Sequence, residues 1–275
     1  MALCLCFKKL FIKNVVSPKI SNSLPAASIN NVIGERFIEL LSVDSTNNYA
    51  IQQVQKGLAA SGDAYFTFEQ TAGKGQFNRQ WSSAKGENIV LSIVINTSEL
   101  LLSQQFVLNM IASLSVLELF NKYTTEEIKI KWPNDIYCRD RKAAGILIEN
   151  LIRGKKWQFA IAGFGVNINQ ISFPGSLKNP VSLKQLTGKD FNVVDLAKEL
   201  CGLLTKNLEL LFTNKEDIVL KAYNDLLYKR GETVKFKQGS IVFSGLVKQV
   251  DNFGRLIIES GMEQAFESGQ LEWMH

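Results

Sequence analysis

Residues 131–149, KWPNDIYCRDRKAAGILIE, hold the densest set of side chains able to do chemistry. Lys131 and Trp132 end an apolar-alternating run. Pro133 then removes a backbone donor and pushes Trp132 towards extended geometry. Asn134 and Asp135 favour turns and place short polar groups at defined points. A short strand, a charged turn and a second strand follow, with Lys142 where the turn becomes the strand. A corner and a lysine on the adjacent hairpin arm can therefore face one pocket. Fixed cations beside a carboxylate suit a substrate that is anionic or becomes so. A plain hairpin with solvated charges has the same spacing, so this stretch alone does not decide.

Three other stretches carry polar groups at suggestive spacing. Asp44-Ser45-Thr46-Asn47-Asn48 opens a helical pattern and reads as a cap. Alternatively, the Ser45 and Thr46 hydroxyls and free N–H groups receive a ligand's polar group. Gln70-Thr71-Ala72-Gly73-Lys74-Gly75-Gln76-Phe77-Asn78-Arg79-Gln80-Trp81 follows a strand pattern. Gly-x-Gly with Lys74 between and Arg79 beyond suits a backbone cradle for phosphate or carboxylate; a flexible inter-strand loop is the plainer reading. It lacks the G-K-S/T ending of a P-loop and the third glycine of a dinucleotide fingerprint. Gly163-Phe164-Gly165-Val166-Asn167 ends another strand, where a backbone can pass close to a ligand and Asn167 can both donate and accept. A strand-end turn explains it equally well.

Composition excludes a good deal. The one histidine is His275, the last residue, so histidine-based triads and histidine-ligated metals have no side chain in the body. Cys4, Cys6, Cys138 and Cys201 are scattered, against a disulfide framework or zinc site. Chemistry must run on Lys, Arg, Asp, Glu, backbone amides and a carboxylate-held Mg²⁺. Of the net charge of +5, the first 33 residues hold +4, from Lys8, Lys9, Lys13 and Lys19. The rest is near neutral, unlike a basic nucleic-acid binder. No run of 18 apolar residues predicts a membrane span.

The elements that must position these groups follow from periodicity. Strands are predicted at 36–43, 63–69, 88–96, 128–132, 136–138, 143–149 and 156–162, and helices at 49–58, 104–123, 181–187, 193–212 and 216–229. After Gly231 short strands alternate with turns, at 232–237, 241–250, 255–260 and 264–266. At 275 residues, with 46% apolar and 21% charged residues, this is an α+β chain. A mixed-sheet domain spans 34–229 and a small β-barrel-like domain 230–275. Residues 1–33 read as a poorly ordered extension rather than a targeting segment.

Taken together, DSTN at 44–47, QTAGKGQFNRQW at 70–81, KWPNDIY at 131–137, DRKAAGILIE at 140–149 and GFGVNIN at 163–169 resemble the biotin–protein ligases. The resemblance covers about residues 36–275. It implies a class II synthetase-like (biotinyl/lipoyl ligase) mixed β-sheet packed with helices, then an SH3-like β domain. It also implies two steps with biotin, ATP and Mg²⁺: formation of biotinyl-5′-AMP, then transfer of biotin to one lysine of a biotin carboxyl carrier protein. The activity would be that of a biotin–[acetyl-CoA-carboxylase] ligase, in the cytoplasm. The chain resembles the monofunctional type, with neither DNA nor a membrane as partner and a homodimer left open. By this resemblance Lys142 is the essential lysine at the biotin carboxylate and α-phosphate. Ser45, Thr46, Asn47 and Gln70 match the biotin corner. Gly73, Lys74, Gly75 and Gln76 match the loop over biotin and adenylate. Arg79, Trp81, Lys131, Asn134, Asp135 and Asn167 match the ATP side, with Asp135 a candidate for holding Mg²⁺.

The loop departs from the arginine-rich form of some relatives. Lys74 keeps charge without a bidentate fork, and Gln76 carries none. Asn78 replaces a frequent glycine but tolerates left-handed geometry. The competing expectations are a lipoate–protein ligase or octanoyl transferase, and a non-catalytic binding protein using its small barrel for nucleic acid.

Overall fold

The computed structural model describes residues 32–175 and 177–274. The Lys-flecked N-terminal stretch up to residue 31, with Cys4 and Cys6, lies outside the described residues, as does His275. The first sheet is built from β1 (Phe37–Leu40), β2 (Ala64–Thr67), β3 (Ile89–Asn96), β4 (Ile128–Lys131), β5 (Asp135–Cys138), β6 (Arg141–Arg153) and β7 (Lys156–Val166). Its helices are α1 (Thr46–Gln55), α2 (Gln105–Tyr123), α3 (Leu183–Thr187), α4 (Val193–Phe212) and α5 (Glu216–Asp225). The spatial order is β1-β2-β3-β7-β6-β5-β4, with β1 and β2 parallel and all other neighbours antiparallel. The fold is thus α+β with a mixed sheet, followed by a small β unit, as the sequence predicts.

Strand β3, IVLSIVIN, is buried on both faces up to Asn96. Alternation divides it between two cores. Leu91, Ile93 and Ile95 join the large core under α2 and α4, while Val94 packs with Ala50 of α1, Tyr65 and Ile161. Each such aliphatic side chain contributes about 1.5–3 kcal/mol by leaving water. Ser92 shares the Val94 face, so a hydroxyl sits beside the start of α1. Helix α2 is apolar nearly all round. The stretch Leu102–Tyr123 has the length and hydropathy of a membrane span, yet 61% of its apolar window is buried within the fold.

The second sheet follows the order β11-β10-β9-β8-β12, from β8 (Thr233–Gln238), β9 (Ile241–Val250), β10 (Leu256–Ser260), β11 (Met262–Phe266) and β12 (Glu272–Met274). It is tied to the first unit by named bonds. Trp132 Nε1 donates to the Gly254 carbonyl at 2.9 Å. The Asn224 amide donates to the Val250 carbonyl and accepts from the Val250 N–H. Gly254, at φ 81°, sits where a Cβ would strike the Phe106 ring.

Several boundaries differ from expectation, each for a local reason. Helix α1 starts three residues earlier than its periodicity predicts, directly after Ser45, and ends before Gly57 at φ 69°. Helix α5 stops at Asp225 because the next backbone groups pair elsewhere: Ile130 N–H donates to Leu226, and Tyr228 N–H to Ile130. Strand β1 is shorter than the predicted 36–43, and Val43 makes a separate bridge with Gln70. Strand β12 is not predicted at all. Its three residues are too few for a periodic signal, and its partner β8 is distant in sequence. The Trp132–Pro133 peptide is cis.

Candidate active site

One cleft of about 870 Å³ gathers the predicted site residues, all except Gly73 lining it. Gly73 lies in an adjoining groove on the far side of the same loop. The strand register supplies the floor. Gly145 of β6 stands opposite Gly165 of β7, and Leu147 opposite Gly163. A Cβ on Gly165 would fall 2.3 Å from Trp81 Cε2, and one on Gly163 would fall 2.3 Å from Asn47 Oδ1. From sequence these glycines read equally well as a close approach to a ligand or as a strand-end turn. In the structure they admit two of the protein's own side chains, Trp81 and Asn47.

At one end is a polar corner at the start of α1. Gln70 Oε1 accepts from the Thr46 backbone N–H at 2.8 Å and from its hydroxyl at 3.2 Å. Ser92 Oγ lies 2.7 Å from Thr46 Oγ1 and 2.6 Å from Asn47 Oδ1. The Asn47 amide donates to Glu149 at 2.7 Å and to the Leu147 carbonyl at 3.3 Å. The structure differs from the sequence expectation at two points. Ser45 occupies the N-cap position but makes no side-chain cap bond. The Thr46 N–H, expected to be free for a ligand, is taken by Gln70.

The glycine loop is a small hairpin. Gly75 N–H donates to Arg79 O at 2.7 Å, Trp81 N–H to Gly73 O at 2.9 Å, and Lys74 bridges Gln80. Gly73 is close-packed: a Cβ there would lie 2.3 Å from the Trp81 carbonyl oxygen. Asn78 adopts φ 59°, the left-handed geometry its side chain tolerates. Phe77 adopts φ 53°, unusual for a bulky residue, and its ring rests against Gly269 of the small sheet's last turn. Lys74 Nζ stands 3.6 Å from Glu149 Oε1, so Glu149 links the loop to the polar corner.

At the other end lie the charges. Lys142 Nζ pairs with Asp135 Oδ1 at 2.7 Å and stands 5.8 Å from the Trp81 ring centroid. Lys131 is opposite Asp135 across β4 and β5, and is buried. Burial pulls its ammonium down to about 8, against a smaller opposite pull from Asp135. Asn134 anchors the corner to β6, its amide donating to the Ile146 carbonyl and its own carbonyl accepting from the Ile146 N–H. The Asn167 amide donates to the Lys142 and Val181 carbonyls, at 3.3 and 3.2 Å. It braces the backbone that carries Lys142. Arg79 and Gln76 also line the cleft.

Among the described residues no three His, Cys, Asp or Glu side chains cluster to hold a metal. Asp135 is the carboxylate beside the lysines. One carboxylate fits an Mg²⁺ that arrives on substrate phosphates, because that ion keeps most of its ligands as water and phosphate.

Ser92, Glu149, Tyr137, Tyr228, Trp273 and Phe77 were not singled out from sequence. Ser92 left a trace, a lone hydroxyl in an otherwise apolar strand. Phe77, Tyr137 and Glu149 lie within the sequence motifs but carry no signal of their own, and Tyr228 and Trp273 reach the cleft or its rim only through tertiary packing. The arrangement has two chemically unlike ends: a hydrogen-bonding corner of Thr46, Gln70 and Ser92, and a cationic end where Asp135 stands beside Lys142 and Lys131. It can hold a molecule that is polar but uncharged at one end, beside a polyanion.

Comparison with known proteins agrees with this geometry. Residues 40–167 match the biotin/lipoate A/B protein ligase family. The chain is 29% identical over 234 residues to the bifunctional ligase/repressor BirA of Escherichia coli (strain K12), covering 83% of this chain and 71% of that protein. It is 26% identical over 226 residues to the biotin–[acetyl-CoA-carboxylase] ligase of Paracoccus denitrificans, covering 80% and 92%. Among solved structures it is similar to the biotin protein ligase from Aquifex aeolicus in complex with biotin and ATP. The TM-score is 0.74 at 26% identity, over 87% of this chain and 99% of that one.

Proposed function

We propose that this chain, which belongs to the biotin–protein ligases, joins biotin to ATP as biotinyl-5′-AMP and passes the biotinyl group to a lysine of a biotin carboxyl carrier protein. The observation that carries the reading is the placing of Lys142, at the end of the cleft opposite the Thr46–Gln70–Ser92 corner. Biotin has a neutral ureido ring and a carboxylate tail, and the two ends of the cleft match them.

In the first step a biotin carboxylate oxygen attacks the α-phosphorus of ATP, the bond to the bridging oxygen breaks, and pyrophosphate leaves. Lys142 exchanges its pairing with Asp135 for the carboxylate and α-phosphate oxygens, and stabilises the negative charge that gathers there. Asp135, released, is the residue that would hold the Mg²⁺ delivered with ATP. Lys131 and Arg79 add positive charge on the nucleotide side, and Trp81 offers a flat face. Asn134 and Asn167 keep the backbone around Lys142 in place. At the other end Ser45, Thr46 and Gln70 hydrogen-bond the ureido group. Asn47 backs them, with Gly73, Lys74, Gly75 and Gln76 closing from above. In the second step the carrier lysine, as free amine, attacks the activated carbonyl carbon and AMP leaves.

In this reading residues 34–229 form the catalytic domain and 230–275 the small domain, the carrier belongs to acetyl-CoA carboxylase or a related carboxylase, and the setting is cytoplasmic. The test is ATP–pyrophosphate exchange with biotin, lipoate and octanoate in turn. Exchange with biotin alone is expected. Exchange with lipoate instead would move the chain to the lipoate branch of the family. The hydrogen-bonding corner favours biotin, since a dithiolane ring has no ureido group to bind it.

A further inference from the structure

Lys131 stands among aromatic rings from three parts of the chain. Its ammonium is 4.6 Å from the Tyr137 ring centroid, 5.7 Å from Tyr228 and 5.5 Å from Trp273. The Tyr137 hydroxyl is 3.3 Å away. Tyr137 is on β5, Tyr228 follows α5, and Trp273 is on β12 of the small sheet. The rings brace one another. Trp273 packs edge-on against Phe236 at 4.9 Å and against Tyr228 at 5.8 Å, and Tyr228 meets Tyr137 at 5.3 Å. The next residue back, Glu272, pairs with Lys178 at 3.8 Å, and both line the same cleft. The Trp273 indole N–H is buried and has no hydrogen-bond partner among the described residues.

Ring faces attract an ammonium without neutralising it, as a carboxylate at contact distance does. Below about pH 8 a lysine held this way keeps its charge for an incoming polyanion while losing its freedom to swing. We propose that Trp273 is a positioning residue for the nucleotide: with Tyr137 and Tyr228 it encloses the Lys131 ammonium and sets where that cation meets the ATP phosphates. The small sheet thereby completes the nucleotide end of a cleft whose other walls belong to the first unit. This rests on the ligase reading for the identity of the polyanion, though not for the enclosure itself.

The test uses the full chain with Trp273→Ala and Trp273→Phe. Three quantities are measured: kcat and KM for ATP in pyrophosphate exchange, biotin and ATP affinity by calorimetry, and the acetylation rate of Lys131 by an amine-directed reagent, read by peptide mass spectrometry. The alanine variant should raise KM and Kd for ATP roughly tenfold, the size expected for losing one desolvated cation–ring contact. Its biotin affinity should stay at the wild-type value, and Lys131 should acetylate faster. Phenylalanine keeps a ring face without the indole N–H and should restore both properties. An unchanged ATP affinity and labelling rate in Trp273→Ala would overturn the proposal. So would equal losses of biotin and ATP affinity that phenylalanine fails to rescue, since that pattern marks a loosened sheet. If the wild type exchanges no pyrophosphate, the ligase reading fails, and the Lys131 labelling contrast still decides whether Trp273 encloses the cation.

Discussion

The Trp132 indole N–H donates to the Gly254 carbonyl at 2.9 Å, and both groups are buried where the small sheet meets the first unit. Trp132 belongs to the corner that carries Lys131, Asn134 and Asp135. The residue that marks this corner in the sequence therefore acts as its anchor to the second sheet. Replacing it with phenylalanine keeps most of the ring but leaves the Gly254 carbonyl without its donor. Trp132→Phe should destabilise the protein by about 1–3 kcal/mol. A shift of the urea unfolding midpoint checks this, and an unchanged midpoint would refute it.

Lys142→Ala should leave the fold intact and lower the rate of adenylate formation by roughly 10²–10³-fold, the cost of removing one donor aimed at developing charge. The fold should survive because the Lys142–Asp135 pair is partly solvated, and such pairs contribute at most about 1 kcal/mol. Pyrophosphate exchange and circular dichroism on the same sample separate the two effects. A wild-type exchange rate would remove Lys142 from the assigned role.

Gly165→Ala places a methyl group where the Trp81 ring now lies. Strand β7 is central and cannot move aside, so Trp81 must. We expect a loss of about 1–3 kcal/mol in stability from overpacking, and a weakened ATP affinity from the displaced ring. Thermal denaturation with ATP calorimetry tests this. Unchanged ATP affinity would show that the nucleotide does not use Trp81.

Burial holds the Lys131 pKa at about 8, below its ordinary 10.5. Below about pH 8 the folded and unfolded chains both carry the proton, and the cost of burying the charge is felt in full. Between about 8 and 10.5 the folded protein loses the proton first, so this group makes the fold more stable as pH rises. ATP binding should respond in the opposite direction, with KM for ATP climbing as pH passes about 8. Lys131→Arg, which stays protonated, should flatten that climb. A wild-type KM that stays level from about pH 7 to about 9 would refute it.

Much of the site was legible because its chemistry is written in short segments. Ser45 to Asn47, Gln70 to Trp81, Lys131 to Asp135, Lys142 and Asn167 are each a few residues long, and their side-chain types announce hydrogen bonding and charge. The mixed sheet was legible because β3 and α2 have unmistakable apolar patterns. What the segments do to one another was not. Gly163 and Gly165 left open whether a ligand or a turn required them, and Asn47 and Trp81, distant in sequence, pack against them. Glu149 looked like the end of a strand and proves to join Asn47 to Lys74.

By itself the amino-acid sequence determined which residue types stand at which strand ends, the likeness to the biotin–protein ligases, and the lack of any histidine within the body. Local propensity and periodicity act over a few residues, so those features survive in one dimension. Only the tertiary structure decided that Trp273 would stand beside Lys131, that Phe77 would rest on Gly269, and that Trp132 would face inward to hold the small sheet. Such contacts depend on strand register and on how two sheets dock, and no short stretch of chain specifies either.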